Sequence, residues 1–506
     1  MLNAIIRKFT LGLALAVLAI GGAQAESVIR IGLQEDPDSF DPARAYSFVG
    51  RIVLTSLCNK LIDAAPDLSM KPQLALSWST SDDGKTVTFK LRPGVKFSDG
   101  TDLDAAAVAL NLDRAMHLPE SRRKSEVAAL DTVDVIDPLT VRLNLKNPFA
   151  PLIAQLSDRA GLVASPKALQ NSAGFDQAPA CSGPFKMAER VIQDHITLVR
   201  DPLYWDAGRI HIDKVEFRIV PDPAVRLANL RAGALDFAER ILASDVAGLK
   251  ADPRFNVLVG PSIQYNGITI NIANGTGGNP DFQKHRELRE ALDLTIDREA
   301  INQVLFAGNG VPDNQPQPVG NPFHSPDRPL KPRDVARAKE LVKASGVEHP
   351  SLELMVVNTS EQIQLAQMLQ SMAAEAGIEV KLKTLEFQTL LSQEAKGDYQ
   401  ASLIGWSGRV DPDGNIYTLL GCKSPTNDAR YCSETTESLL LRGQAETKSL
   451  EARQKLYHQA IDQIVDDKPI IYLYHPPLIM AMTAKLKGFG FHPDGLIRLQ
   501  DVSYAP

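Results

Sequence analysis

Leu352-Glu-Leu-Met-Val-Val357 and Ile378-Glu-Val-Lys-Leu-Lys383 are two strand patterns separated by an amphipathic run, Glu361 to Ala376, that Gly377 closes. A strand, a helix ended by glycine and a second strand make a βαβ unit, which implies a right-handed crossover and a parallel pair. Tyr399-Gln-Ala-Ser-Leu-Ile404 reads as the next strand of the same layer. A helix from about Leu450 to Val465 stops before Pro469, and Ile470-Ile-Tyr-Leu-Tyr474 reads as a strand returning to the sheet. Residues from about 266 to 480 therefore form an α/β layer.

The first half is built differently. Val28-Ile-Arg-Ile-Gly-Leu33 alternates as a first strand, and Asp36-Pro-Asp-Ser-Phe-Asp-Pro42 breaks it into a loop. Thr86-Val-Thr-Phe-Lys-Leu91 belongs to a hairpin turned at Asp82-Asp-Gly84. Val108, Leu112 and Met116 lie at helical spacing in a helix from about Ala105 to His117, with Asp104 placed to cap it. Strands follow at Thr140–Leu145 and Val215–Val220. The class is mixed α/β.

The chain has 506 residues, 44% hydrophobic and 23% charged. That length exceeds what one core serves, so two or three domains are expected. A net charge of −7 argues against a protein that neutralises phosphates, and nucleic acid is not expected as a partner.

Arg7 and Lys8 precede the apolar run Phe9–Ile20, and Ala23-Gln24-Ala25 supplies a signal-peptidase site. That run is shorter than the ~20 residues needed to cross a bilayer. Residues 1–25 are read as a cleaved signal peptide, giving an exported chain that begins at Glu26. Export favours disulfides for Cys58, Cys181, Cys422 and Cys432. Four cysteines allow three pairings. Cys422 with Cys432, which would pin a short polar loop, is preferred, and Cys58 with Cys181 then follows.

Catalytic signatures are missing. The nine histidines form no HxxxH or HExxH pair, so no metal site is expected. Gly405-Trp-Ser-Gly-Arg409 resembles a nucleophile elbow but carries Arg where GxSxG needs the second Gly. There is no phosphate loop and no dinucleotide fingerprint, and no cofactor or enzymatic activity is expected.

Four separated stretches carry a family resemblance across nearly the whole chain. Val95-Lys-Phe-Ser-Asp-Gly-Thr101 with the Val108 helix, and Ser182-Gly-Pro-Phe-Lys186 with Ile196–Arg200 and Asp201-Pro-Leu-Tyr-Trp205, are the first two. Leu288-Arg-Glu-Ala-Leu292 with Ile296-Asp-Arg298 and the Asp334–Gly346 helix follow. Gly405-Trp406 through Asp411-Pro-Asp413, then Leu439 and Leu440, complete the set. Together they resemble the extracytoplasmic solute-binding proteins, family 5, that serve peptide, nickel and opine ABC importers.

The resemblance implies a two-lobe periplasmic binding protein with a hinge. Lobe I would comprise about 26–265 plus 480–506, with an extra subdomain within about 68–185, and lobe II about 266–479. A ligand would be trapped between the lobes of a monomer and handed to a permease in the inner membrane. In dipeptide-binding members the third residue after the Trp is an Asp that holds the peptide amine; here it is Arg409. Those members also hold the peptide carboxylate with an Arg at the position that is Asn358 here. Both clamps differ, and an Arg fork matches a carboxylate, so an acidic group is expected at Arg409. The alternative is that Arg409 pairs with Asp411 or Asp413 to brace its loop.

The other candidate ligand contacts are Tyr46, Ser47, Ser182, Trp406, Ser407 and Asp411, with Ser182 held near the hinge by the Cys58–Cys181 bridge. The expected ligand is a short peptide, an opine or a glutathione-like compound. An exported hydrolase using the same cleft, and a peptide-holding chaperone with an apolar cleft, are the competing readings.

Overall fold

A computed structural model describes residues 26–505, so the segment read as a signal peptide lies outside the described residues. Two sheets organise the chain. The first runs Phe255–Gly260, Leu478–Thr483, Phe237–Ala238, Val28–Leu33, Lys214–Ile219, His195–Arg200, Phe185–Val191. The second runs Val311–Pro312, Ile470–His475, Tyr265–Ile270, Ala401–Trp406, Ser351–Val357, Glu379–Leu385.

The βαβ reading holds: Ser351–Val357 pairs in parallel with Glu379–Leu385, from Ser351 opposite Glu379 to Val357 opposite Leu385. The crossover helix is Ser360–Ala374, and Gly377 turns back at φ +80°, which only glycine adopts cheaply. The strand expected at Tyr399–Ile404 is shifted by two residues to Ala401–Trp406. Tyr399 is instead buried, its hydroxyl donating to the carbonyl of Asp428 at 2.9 Å. The shift makes Trp406 the last strand residue, opposite Tyr265, and leaves Arg409 in the loop beyond.

The core under the second sheet continues onto one face of the first through Ala238, Ile479 and Ala481. Leu354, Val356, Leu365, Leu369, Leu288 and Leu292 bury the crossover and its neighbouring helices under the second sheet. Ile29, Ile31, Val53, Leu54, Phe217 and Met480 fill the first. A third core lies under a four-stranded sheet, Ala75–Thr80, Thr86–Leu91, Thr140–Leu145, Leu130–Asp137, covered by the helix Ala105–His117. Asp104 caps that helix, its carboxylate accepting from Ala107 N at 2.9 Å.

Both disulfides are formed as read, Cys58–Cys181 and Cys422–Cys432. Near its end the chain is anchored by Arg498, whose guanidinium donates to Asp63 Oδ1 at 3.0 Å and Asp494 Oδ2 at 2.8 Å in a buried triad. Among the described residues no helix is long and apolar enough to cross a membrane.

Candidate functional site

The chain passes between the two sheets through residues 261–264 and again through Pro476 and Pro477. Strand directions decide which edges those passages join. Ile470–His475 is antiparallel to Tyr265–Ile270, which is antiparallel to Ala401–Trp406, so it runs the same way as the parallel strands of its sheet. Leu478–Thr483 is antiparallel to Phe237–Ala238, which is parallel to Val28–Leu33. The passage from His475 to Leu478 therefore ties the carboxyl-end rim of one sheet to that of the other, and the passage from Gly260 to Tyr265 does the same. Loops at the carboxyl ends of strands are where α/β layers present ligand contacts, and here two such rims face each other.

The loops leaving these rims carry the chemistry. Arg409 is buried against Trp406, its guanidinium carbon 4.6 Å from the ring centroid. Its backbone N–H donates to Asn415 Oδ1 at 2.6 Å, and Nη1 donates to Gly408 O at 2.8 Å and Ser407 Oγ at 3.3 Å. Its Nε stands 3.2 Å from Asp158 Oδ2, a residue of the other half of the molecule. Asp158 Oδ1 accepts from Arg51 Nε at 3.0 Å. Arg159 Nη1 donates to the carbonyl of Tyr46 at 2.6 Å, and Arg123 Nη2 to that of Ala45 at 3.1 Å while pairing with Glu126.

Four guanidiniums thus share two carboxylates in one buried cluster. Arg51 Nη1, Arg123 Nε and Arg159 Nε make no hydrogen bond among the described residues, and neither do the carboxylate oxygens Asp158 Oδ2 and Glu126 Oε2, although Arg159 Nε stands 3.8 Å from Asp158 Oδ1. Burial alone would raise the pKa of Asp158, but Arg51, Arg409 and Arg159 outweigh it and hold the carboxyl well below the usual range. A cavity lined by Arg51, Asp158, Arg409 and Asp411 sits in the cluster. An excess of buried positive charge with unused N–H groups is an environment that favours an anion.

The expected site residues divide. Tyr46 is 41% exposed, its hydroxyl pKa raised by burial and Asp428 against the opposing pull of Arg409 and Arg159. Trp406 and Ser407 lie beside Arg409, and Trp406 donates from Nε1 to Asn415 Oδ1 at 3.1 Å. Asn358 is exposed just past its strand, with its N–H on Leu385 O at 2.9 Å. Ser47 is at the rim, but its hydroxyl caps the helix Phe48–Leu57 by accepting from Gly50 N at 3.0 Å.

Three expectations are corrected. Asp411 is taken by Arg453, which grips both its oxygens at 2.7 Å, so it braces the loop. Arg409 pairs with neither Asp411 nor Asp413; its partner is Asp158. Ser182 is also misplaced by the sequence reading. It precedes Phe185–Val191, which runs parallel to Val28–Leu33, and it lies beside Cys58 at the far end of the Phe48 helix, away from the rim.

Arg51, Arg123, Asp158 and Arg159 were not singled out from sequence. Only Arg51 carries a local signal, a single charge in the otherwise uncharged helix Phe-Val-Gly-Arg-Ile-Val-Leu-Thr-Ser-Leu. The others converge through tertiary structure alone.

Glu394 marks a buried carboxyl behind the strand Ala401–Trp406, where Ser402 Oγ donates to it. Burial pushes its pKa up to about 8. In the unfolded chain the group loses its proton near pH 4.5, whereas the folded protein keeps it until about 8, so stability should fall as pH climbs through that interval. Glu394→Gln is expected to flatten this slope and to be roughly 2–4 kcal/mol more stable than wild type above pH 8. Chemical unfolding of both proteins between pH 5 and 9 checks it, and parallel curves would reject it.

A family model described as bacterial extracellular solute-binding proteins, family 5 Middle, matches residues 69–427. The glutathione-binding protein GsiB of Salmonella paratyphi A is 30% identical over 501 residues, covering 96% of each chain. GsiB of Pectobacterium atrosepticum is 30% identical over 496 residues, covering 95% of this chain and 94% of its own. Among solved structures, the periplasmic binding protein DppA from Helicobacter pylori in complex with the peptide STSA superposes with a TM-score of 0.86 at 22% identity, covering 95% and 98% of the two chains. AgaA from A. tumefaciens R10 in complex with agropinic acid superposes at 0.84 and 24% identity, covering 95% and 99%.

Proposed function

Since the chain belongs to family 5 of the bacterial extracellular solute-binding proteins, we propose that the solute it captures for its ABC importer is small, acidic and amino-acid-derived, of the glutathione or opine type. The observation that carries this reading is the cluster of four guanidiniums, Arg51, Arg123, Arg159 and Arg409, around the two carboxylates Asp158 and Glu126, with guanidinium N–H groups that make no hydrogen bond among the described residues. The relatives named for glutathione and the neighbour bound to agropinic acid support the same ligand chemistry.

Residues 26–265 with 480–506 would move as one lobe and 266–479 as the other, with residues 68–185 as a subdomain of the first and the two inter-sheet passages as hinge. Closure then brings Arg409 to Asp158. The protein works as a periplasmic monomer after loss of residues 1–25 and delivers its cargo to a permease, without making or breaking a bond. Neither the comparisons nor the geometry of the cluster lends support to a hydrolase.

Thermal shift of the 26–506 protein against glutathione, opines, neutral dipeptides and cationic peptides tests the reading. Ligand at 100 times its dissociation constant should stabilise the folded state by about 2.7 kcal/mol. The expected result is a shift with acidic compounds that Arg409→Ala abolishes. Stabilisation only by neutral or cationic compounds, undiminished in Arg409→Ala, would overturn it.

A further inference from the structure

We propose that the subdomain of residues 68–185 is a clasp: its segment 148–158 and its Asp82-Asp-Gly84 turn seat on the end of the helix Glu434–Ala445 in the opposite lobe, hold the lobes closed and steady the loop of Arg409. This goes beyond the acidic-solute reading and rests on the two-lobe division proposed with it.

The segment forms a seam across the second lobe. At one end Asp158 Oδ2 stands 3.2 Å from Arg409 Nε, and Gln155 and Ser157 share the small cavity with Val410 and Asp411. Further along, Ala150 N donates to Gln444 O at 2.7 Å. At the far end Pro148 and Thr447 both close on Gly84, where a Cβ would lie 3.0 Å from Pro148 Cβ and 2.9 Å from Thr447 Oγ1. Gly84 is buried although it sits in a turn, at φ +70°.

Each contact answers a local need. The last four carbonyls of a helix have no partner within it, and Ala150 N supplies one to Gln444. The Gly84 turn is held by its own bonds, with Gly84 N donating to Ser81 O at 2.8 Å and Asp83 Oδ1 accepting from Lys85 N at 3.0 Å. It therefore docks with little ordering cost.

The helix end in turn grips the loop of Arg409. Gln444 Nε2 donates to Asp413 Oδ1 at 2.8 Å, and Arg453 links Gly443 O, 3.0 Å from its Nε, to both oxygens of Asp411. Ala150, Gln444 and Asp413 thus form one chain of bonds from the subdomain to the loop that presents Arg409. A contact made only in the closed arrangement shifts the equilibrium toward it, and tightens any solute whose capture needs closure. The clasp itself uses protein atoms alone.

A disulfide trap tests the clasp without any solute. In the 26–506 protein, Gly84→Cys with Thr447→Cys puts a Cβ 2.9 Å from the position of the facing sulfur, close to the separation of about 3 Å across a disulfide. Gly94→Cys with Thr447→Cys is the control, since Gly94 shares the left-handed backbone at φ +72° but has nothing within 4 Å. The native cysteines are already paired, so thiol counting after air oxidation reads the new pair alone. The first pair should be bonded and the control pair free. Ala150→Pro deletes the donor to Gln444 at the second position of a turn that Leu152 N closes on Phe149 O at 3.3 Å, a place proline fits. It should weaken glutathione binding in isothermal titration by roughly 3- to 10-fold. Free thiols in the first pair, both alone and with glutathione, overturn the clasp and leave the acidic-solute reading standing, as does unchanged affinity in Ala150→Pro. A bonded pair in a protein whose wild type binds no glutathione supports the clasp and overturns the glutathione reading.

Discussion

Asp158→Ala should destabilise the protein by about 3–5 kcal/mol, because it removes the carboxylate that Arg51, Arg159 and Arg409 share in a buried setting. The cost comes from the three cations left behind. Asp158→Asn keeps the shape and one acceptor oxygen, so the difference between the two variants separates lost hydrogen bonds from lost charge. The pH dependence has a definite sign. The carboxyl of Asp158 is held below its unfolded value, so its contribution is complete above the usual carboxylate range and is lost only as pH falls through the lower, folded value. Denaturant unfolding should show a gap between wild type and Asp158→Ala that is flat from pH 5 to 8. A gap under about 1 kcal/mol would mean that the arginines do not depend on this residue.

Loss of the Cys58–Cys181 bridge should be as severe. The bridge spans 123 residues, and in the chain-entropy account closing such a loop is worth about 5 kcal/mol, against about 3 for the span of 10 between Cys422 and Cys432. Cys58→Ala with Cys181→Ala removes both thiols from positions that are almost fully buried, so no free thiol complicates the result. The long bridge joins the end of the Phe48 helix to the segment entering Phe185–Val191. It therefore braces the helix whose other end carries Ser47 and Arg51 into the site, and ligand affinity should fall together with stability. Unfolding midpoints of the two double variants check the order. Equal losses, or a larger loss for the Cys422–Cys432 pair, would contradict the loop-length argument.

The elements that could be read from sequence share a property: each is decided by neighbours a few residues away. Asp104 before a helical spacing of Val108, Leu112 and Met116 marked the helix Ala105–His117 at both ends. Alternation marked Val28–Leu33, and the βαβ pattern marked a parallel pair whose register only the structure could print. Where a tertiary contact competed, the reading slipped, as at Tyr399, whose hydroxyl is drawn to Asp428 before pairing can begin.

The site followed the same division. Arg409 was singled out because it follows a strand end and Trp406 because its motif resembles the family's, and the structure packs one on the other. Their purpose was not, because the partner of Arg409 lies at Asp158, in an irregular segment with no periodic signal, and Arg453 claims the Asp411 that local spacing offered. Ser182 shows the converse: it neighbours a motif and a disulfide, yet strand direction puts it at the wrong end of its sheet.

Sequence alone determined most of the elements, since propensity, capping and alternation act over a few residues, whereas the two-lobe family was read from the resemblance of four stretches and the cysteine pairing was a preference. Only the tertiary structure decided which charges meet. Ion pairs depend on distance in space, and residues 51, 123, 158, 159 and 409 become neighbours only after two rims are tied edge to edge by the passages at 261–264 and 476–477.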